Sequence, residues 1–167
     1  PSMEGEDGDA YNADLGGDKG HLELPDVQQK LYDAVVEMGK PIVYVNVSGS
    51  CMNLSRQKKD CAAILQCFYP GAMGGLALAD ILFGEVSPSG RLPVTFYESI
   101  DDLPPIEDYS MENRTNRYFK GTPTYAFGHG LTYTTFEYSD FAVSCANGVL
   151  TFTFTVENTG CRISDEV

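Results

Sequence analysis

Carboxylates are concentrated at the start of the chain, in residues 1–24. This stretch is rich in glycine and has one basic residue, Lys19. It cannot form an apolar core, so it is predicted to be a loop, and its simplest interpretation is a solvated terminus. Its oxygen atoms would also suit Ca²⁺, but the spacing does not fit the D-x-[DN]-x-[DN]-G-x₅-E pattern. A positioned carboxyl group could also transfer a proton. The acidic residues are Glu4, Glu6, Asp7, Asp9, Asp14, Asp18 and Glu23.

A second group of reactive side chains follows the apolar run of residues 41–47, in the sequence Ser48-Gly49-Ser50-Cys51. In open parallel sheets, ligands bind at this position, past the carboxyl end of a strand. Ser50 and Cys51 are nucleophiles by type. However, neither histidine of the chain stands in a triad context, and no G-x-S-x-G motif is present. We therefore interpret the segment as the packed end of a strand.

The elements that would position these groups follow an α/β order. Residues 25–39 have a proline in the first turn and apolar residues at helical spacing, which predicts a helix. Residues 41–47 and 62–67 are short apolar runs typical of buried parallel strands. Between them, residues 53–60 are predicted to be a solvated loop or a short helix. A further helix is predicted to end at Gly84, in a left-handed cap.

Gly74 and Gly75 precede that further helix, although an interior glycine costs about 1 kcal/mol relative to alanine. A ligand-binding loop is one explanation, but the chain has neither a GxGxxG nor a GxxxxGK[ST] motif. We therefore expect the glycine pair to allow close packing of the helix on a neighbouring strand.

Composition limits the partners of the chain. Its formal net charge of −13 argues against nucleic acid or an anionic membrane, since both require a basic surface. No apolar run approaches the ~20 residues of a membrane span. The five cysteines lack CxxC spacing, so neither a complete disulfide set nor a zinc site is predicted, and no cofactor or metal is expected. Reduced thiols and the lack of a visible leader favour a cytoplasmic location. Because it begins at Pro1, the chain is expected to be a fragment.

The longest motif lies in residues 68–96, which read FYPGAMGGLALADILFGEVSPSGRLPVTF. This stretch resembles the C-terminal half of family 3 glycoside hydrolases, with their tyrosine-proline-glycine turn, Ala-Asp-x-Leu-x-Gly and Pro-Ser-Gly-Arg-Leu-Pro. Residues 127–133, FGHGLTY, are similar to the family's Phe-Gly-Tyr-Gly-Leu-Ser-Tyr. The resemblance reaches back to Glu4-Gly5 and so covers nearly the whole chain.

The resemblance implies an α/β fold, as the later part of a three-layer α/β sandwich with a mostly parallel sheet. We assign residues 1–24 to an acidic loop, 25–97 to the sandwich and 98–135 to a connector. Residues 136–167 alternate between apolar and threonine positions and resemble the start of a fibronectin-III-like β-sandwich. Such a sandwich needs about seven strands, so this one is incomplete.

The resemblance also implies a retaining, exo-acting β-glycosidase that acts on β-glucosides or β-xylosides. Its aspartate nucleophile would belong to an N-terminal (β/α)₈ barrel of the same protein, outside this chain. Family members often carry the acid/base glutamate in a loop followed by Asp-Arg and Leu-x-Leu-Pro. Ser2-Met3-Glu4-Gly5 matches that loop, with Asp18-Lys19 in place of Asp-Arg, so Glu4 is the candidate general acid/base. Glu6 is the runner-up, because related sequences often have two glutamates separated by one residue.

A different class of function is open to the same chain: a non-catalytic module that stabilises the barrel or binds carbohydrate. The connector is rich in aromatic and basic residues and resembles the family's Arg-Thr-Tyr-Arg-Tyr, with Asn116 in place of the first tyrosine. Its aromatics could stack on sugars, but a connector held across a domain surface needs the same residues. We favour the connector role.

Overall fold

The structure, a computed structural model, describes residues 21–105 and 107–167. By their internal contacts, these residues form two compact units. The first runs from the start of the described residues to Gly74 and from Leu92 to His129, and the second contains Gly75–Arg91 and Gly130–Val167. None of the helices in the described part is both long and apolar enough to cross a membrane.

The first unit is built around a parallel pair of short strands. Helix α1 (Asp26–Glu37) precedes strand β1 (Val43–Asn46), and helix α2 (Ser55–Asp60) precedes strand β2 (Ala63–Gln66). β1 pairs with β2 in parallel, with Val43 opposite Ala63 and Asn46 opposite Gln66. The predicted α1, the two strands and their parallel arrangement are confirmed, although each strand is shorter than its apolar run. Val43 is 49% exposed, because a two-stranded sheet leaves its edges uncovered.

Four buried side chains form the core of this unit: Leu24, Met52, Leu54 and Phe96. Phe96 is fully buried where its segment meets Tyr125 in an antiparallel bridge. The N–H of Phe96 donates to the Tyr125 carbonyl oxygen at 2.9 Å, and the Tyr125 N–H donates back at 3.3 Å. The pairing of this segment with residues 125–129 was not predicted from the sequence.

Helix α3 (Gly74–Leu82) confirms the predicted further helix, and Gly84 beyond it has a φ of +78°, as a left-handed cap requires. The prediction for the glycine pair is only half right. A methyl group at Gly74 would lie 2.7 Å from Cβ of Pro70, so the close contact is with the preceding turn and not with a strand. At Gly75 nothing lies within 4 Å.

The second unit contains an antiparallel hairpin of strand β3 (Phe136–Ala146) and strand β4 (Val149–Asn158). Asn147 and Gly148, both at positive φ, form its turn, as a tight hairpin connection requires. The register shifts between Ser139 and Ala142. The apolar side chains of β4 are 41–62% exposed: Val149, Leu150, Phe152, Phe154 and Val156. The assignment of this hairpin to a fibronectin-III-like domain stays a prediction.

An ion pair joins distant parts of the second unit. The Arg91 guanidinium donates to both carboxylate oxygens of Glu166 at 2.9 Å and also to the carbonyl oxygen of Gly130. The Tyr138 hydroxyl donates to Glu166 at 2.7 Å. The hydroxyl and, after it, the guanidinium hold the pKa of Glu166 below its ordinary value. The arginine of the Pro-Ser-Gly-Arg-Leu-Pro motif is thus a structural donor within this unit.

Candidate functional site

Two buried or half-buried amide side chains close the carboxyl end of the parallel pair. Asn46 and Gln66 are the last partners in the register of β1 and β2. The Asn46 side-chain amide donates to Oε1 of Gln66 at 2.6 Å and to Oγ of Ser48 at 3.1 Å. Asn46 is 4% exposed, so water cannot reach its amide, and these two hydrogen bonds supply the acceptors that the amide needs.

The same network fixes the loop of residues 47–54 that follows β1. Nε2 of Gln66 donates to the carbonyl oxygen of Ser48 at 3.1 Å, so both ends of the Gln66 amide are used. Oγ of Ser48, which is fully buried, donates to the carbonyl oxygen of Ser50 at 2.8 Å. A satisfied buried network of this kind rigidifies the backbone that it holds. The loop is therefore a fixed surface at the carboxyl edge of the sheet.

A tyrosine from the turn after β2 lies against this loop. A methyl group at Gly49 would lie 2.8 Å from Cζ and from the hydroxyl oxygen of Tyr69, so the ring occupies the space that any side chain at position 49 would need. Phe68, just before it, has a φ of +50°, which is rare for an aromatic residue. Tyr69 is nevertheless 69% exposed.

Of the two nucleophiles by type, Cys51 is used in packing, whereas Ser50 is exposed. Sγ of Cys51 accepts the backbone N–H of Tyr97 at 3.3 Å and lies against the core. The Tyr97 ring meets the Phe119 ring edge-on, with centroids 4.9 Å apart, so the connector is held beside this loop. Burial raises the pKa of the Tyr97 hydroxyl. These contacts agree with the interpretation of the segment as the packed end of a strand.

The start of the described chain is attached to the far end of the same loop. The backbone N–H of Asn53 donates to the carbonyl oxygen of Leu22 at 2.8 Å, and its side-chain amide donates to Glu23 at 3.4 Å. Oδ1 of Asn53 accepts the backbone N–H of Ser55 at the start of α2. Leu24, 8% exposed, is part of the core. We call the contacts of Leu22, Glu23 and Leu24 with the 47–54 loop and the core the anchor.

The anchor joins the acidic segment to the carboxyl edge of the parallel strands. Glu4 and Glu6, the acid/base candidates, lie outside the described residues, as does Asp18-Lys19. The structure instead identifies residues that were not predicted: Asn53, which holds the segment that follows the acidic loop, and the Asn46–Gln66 pair. The pair has a signal in the sequence, a polar residue near the end of each apolar run, whereas Asn53 has none. Across the described residues, no group of three or more His, Cys, Asp or Glu side chains could hold a metal ion.

Comparison with known families places residues 2–133 in the profile described as the glycosyl hydrolase family 3 C-terminal domain. Among similar proteins is a xylan 1,4-beta-xylosidase of Xylanibacter ruminicola, 44% identical over 99% of this chain and 20% of its own length. A periplasmic beta-glucosidase of Salmonella typhimurium is 35% identical over 85% of this chain and 21% of its own length.

Similar solved structures belong to the same group. One is a GH3 exo-beta-xylosidase in complex with a xylobiose aziridine activity-based probe, with a TM-score of 0.77 and 33% identity, covering 90% of this chain and 24% of its own. Another is beta-glucosidase 3B from Thermotoga neapolitana in complex with glycerol, with a TM-score of 0.76 and 34% identity, covering 87% and 23%. The chain thus spans about a fifth of the length of the curated relatives it matches.

Proposed function

Because the chain belongs to the glycosyl hydrolase family 3 C-terminal domain family, we propose that it is part of a retaining, exo-acting β-glycosidase that hydrolyses β-glucosides or β-xylosides. In that enzyme, this chain supplies the general acid/base. The nucleophile, an aspartate, comes from an N-terminal (β/α)₈ barrel of the same protein. This division of labour agrees with the one-fifth share of its relatives that the chain covers.

The observation that carries this proposal is the anchor. Asn53 and the core hold Leu22 and Leu24 at the loop after β1. Ligands of open parallel sheets bind at this edge, outside the carboxyl ends of the strands. The acidic segment therefore joins the folded part at the edge where a substrate is expected.

In the proposed mechanism, Glu4 acts twice. As a carboxylic acid it protonates the glycosidic oxygen while the barrel's aspartate attacks the anomeric carbon and forms a glycosyl-enzyme intermediate. As a carboxylate it then takes a proton from the water that releases the sugar. The two carboxyl groups must lie about 5–5.5 Å apart in a retaining enzyme. Glu6 is the alternative carrier of the same role.

The proposed domain organisation has the same boundaries as the one predicted from the sequence. Residues 1–24 form the acidic loop, 25–97 the later part of the α/β sandwich and 98–135 the connector. Residues 136–167 begin a fibronectin-III-like domain, whose further strands would cover the apolar side chains exposed on β4. The exposure of Phe152 and Phe154, each more than half exposed, supports this proposal.

The test is the stereochemistry of the first product. The full-length protein should release the β anomer from an aryl β-xyloside or β-glucoside, as followed by proton NMR before mutarotation. The 167-residue chain alone should release no product, because it lacks the nucleophile. An α anomer as first product would contradict the retaining mechanism. Unchanged turnover in a full-length protein without residues 1–20 would support a non-catalytic module instead.

A further inference from the structure

The turn that joins β3 to β4 consists of two residues, Asn147 and Gly148. Ala146 pairs with Val149 directly on either side of it, so the loop has no further residue. Asn147 has a φ of +52° and Gly148 a φ of +78°, the combination of a type I′ turn. Both residues are exposed. The tip of the hairpin is therefore a solvated turn in which an asparagine directly precedes a glycine.

The side chain of Asn147 is not held by the fold. It makes no hydrogen bond to another residue in the described part of the chain. Asn116, by contrast, lies in a short helix, Thr115–Tyr118, whose backbone is fixed by its own hydrogen bonds. Four further asparagine side chains are fixed by hydrogen bonds to neighbouring groups: Asn46, Asn53, Asn113 and Asn158. Asn147 therefore differs from each of these asparagines.

An unrestrained asparagine before a glycine can react with its own main chain. The backbone nitrogen of Gly148, once it has lost its proton, attacks Cγ of Asn147. A C–N bond forms and closes a succinimide ring, and the side-chain nitrogen takes up a proton and leaves as ammonia. Water then opens the ring at either carbonyl group, which gives aspartate or isoaspartate without an oxidant or an enzyme. Glycine assists the attack, because the absence of Cβ leaves its nitrogen accessible and its backbone free to rotate.

We propose that Asn147 is a site of spontaneous deamidation, which converts its side-chain amide to aspartate or isoaspartate. Aspartate keeps the turn and adds a negative charge to an already acidic chain. Isoaspartate routes the main chain through Cβ, so the turn gains an extra backbone atom. Because the turn fixes the register of a hairpin, this product weakens the pairing of Ala146 with Val149. The modification thus limits the lifetime of the hairpin.

The test follows the asparagines of the full-length protein by peptide mapping during incubation at mildly alkaline pH. Mass spectrometry detects the exchange of an amide for a carboxyl group, and chromatography separates the aspartate and isoaspartate peptides. Asn147 should convert about tenfold faster than the reference asparagines, since each of those must first break a hydrogen bond or leave a helix. The rate should rise with pH, because the attacking nitrogen must lose its proton. The reference asparagines are Asn46, Asn53, Asn113, Asn116 and Asn158.

Gly148→Asp is the matched control variant. Aspartate tolerates a positive φ better than most residues, and no atom lies within 4 Å of the position that its Cβ would take, so the turn should persist. The new side chain hinders the backbone nitrogen that attacks Asn147. Asn147 should therefore convert in this variant at about the rate of the reference asparagines.

Asn147→Asp supplies the aspartate product alone and separates the effect of charge from that of the main chain. Hydrogen-exchange mass spectrometry of the peptide that spans the turn measures the pairing at the hairpin tip. Exchange in Asn147→Asp should match that of the fresh wild type. In the isoaspartate form it should be about fivefold faster, because the hydrogen bonds next to the turn are weakened.

Conversion of any reference asparagine before Asn147 would overturn the proposal, as would equal rates in the wild type and Gly148→Asp. A wild-type protein in which Asn147 stays intact at every pH tested would overturn it too. If Asn147 converts to isoaspartate but exchange at the turn does not change, the effect on the hairpin is disproved. These readouts do not depend on the hydrolysis of a glycoside, so they are independent of the proposed function.

Discussion

The backbone N–H of Asn53 donates to the carbonyl oxygen of Leu22 at 2.8 Å, which fixes the chain directly after the acidic segment to the loop that follows β1. The same asparagine also contacts Glu23 and the start of α2. Asn53 therefore links three parts of the chain: the end of the acidic segment, the loop at the carboxyl edge and the helix that leads to β2. This arrangement predicts that the anchor is needed for catalysis as well as for folding.

Leu24→Ala should loosen the anchor. Truncating a buried leucine costs about 2 kcal/mol or more, so the amide of Asn53 should exchange with solvent about 30-fold faster in the full-length protein. Hydrogen-exchange mass spectrometry of the peptide that contains Asn53 measures this change. Leu24→Met keeps the volume and should remain within a few-fold of the wild type. Unchanged exchange in Leu24→Ala would show that the core does not hold the segment.

Asn46 and Gln66 should act as a coupled pair. Asn46→Ala leaves the half-buried acceptor of Gln66 without its donor, at a cost of about 1 kcal/mol. The Asn46→Ala/Gln66→Ala double variant should cost about 1 kcal/mol less than the sum of the single changes. The exchange of the Cys67 amide, which donates to the Asn46 carbonyl oxygen at 2.8 Å, reports the opening of the strand pair. Strict additivity would contradict the coupling.

Glu166 should make the second unit sensitive to acid. Its hydrogen bond from Tyr138 and its contact with Arg91 hold its pKa below the ordinary value of 4.5. A carboxyl group whose pKa is lower in the folded state stabilises the protein at pH values above its ordinary pKa. This contribution is lost as the pH falls through the pKa of the folded state. The difference in thermal midpoint between the wild type and Glu166→Gln should therefore be largest at neutral pH and shrink below about pH 4.5.

Tyr138→Phe serves as the companion measurement for this acid sensitivity. Its hydroxyl is the largest cause of the lowered pKa of Glu166, so removing it should weaken the pH dependence while the Arg91 contact persists. If the thermal midpoints of the wild type and Glu166→Gln differ by the same amount at pH 7 and at pH 3, the role of the carboxylate charge is contradicted.

The sequence was sufficient for the elements whose signals are local. Apolar runs of strand length predicted β1 and β2, helical spacing predicted α1, and Gly84 predicted the end of α3. The predicted fold class and the family, which was inferred from residues 68–96 and 127–133, are both confirmed. These features depend on periodicity, on turn residues and on a long ordered motif, all of which are visible in one sequence.

The features that were missed depend on contacts between distant residues. No local pattern shows that Asn53 meets Leu22, or that Phe96 pairs with Tyr125, because both contacts arise from the tertiary fold. The explanation for Gly74 and Gly75 was incomplete for a different reason, since the neighbour of Gly74 is Pro70 in the preceding turn and Gly75 faces open space. Glu4 and Glu6 stay predictions, because they lie outside the described residues.

The most direct test of the central claim is the leaving-group dependence of Glu4→Ala in the full-length enzyme. Loss of the general acid should slow an ordinary β-glycoside about 10²–10⁴-fold and slow one with an activated leaving group far less. Azide, which needs no general base, should restore part of the rate of the second step. Glu6→Ala is the matched control and should stay near the wild type. If Glu6→Ala shows this behaviour while Glu4→Ala does not, the role belongs to Glu6. If neither variant loses rate, the acidic segment takes no part in catalysis.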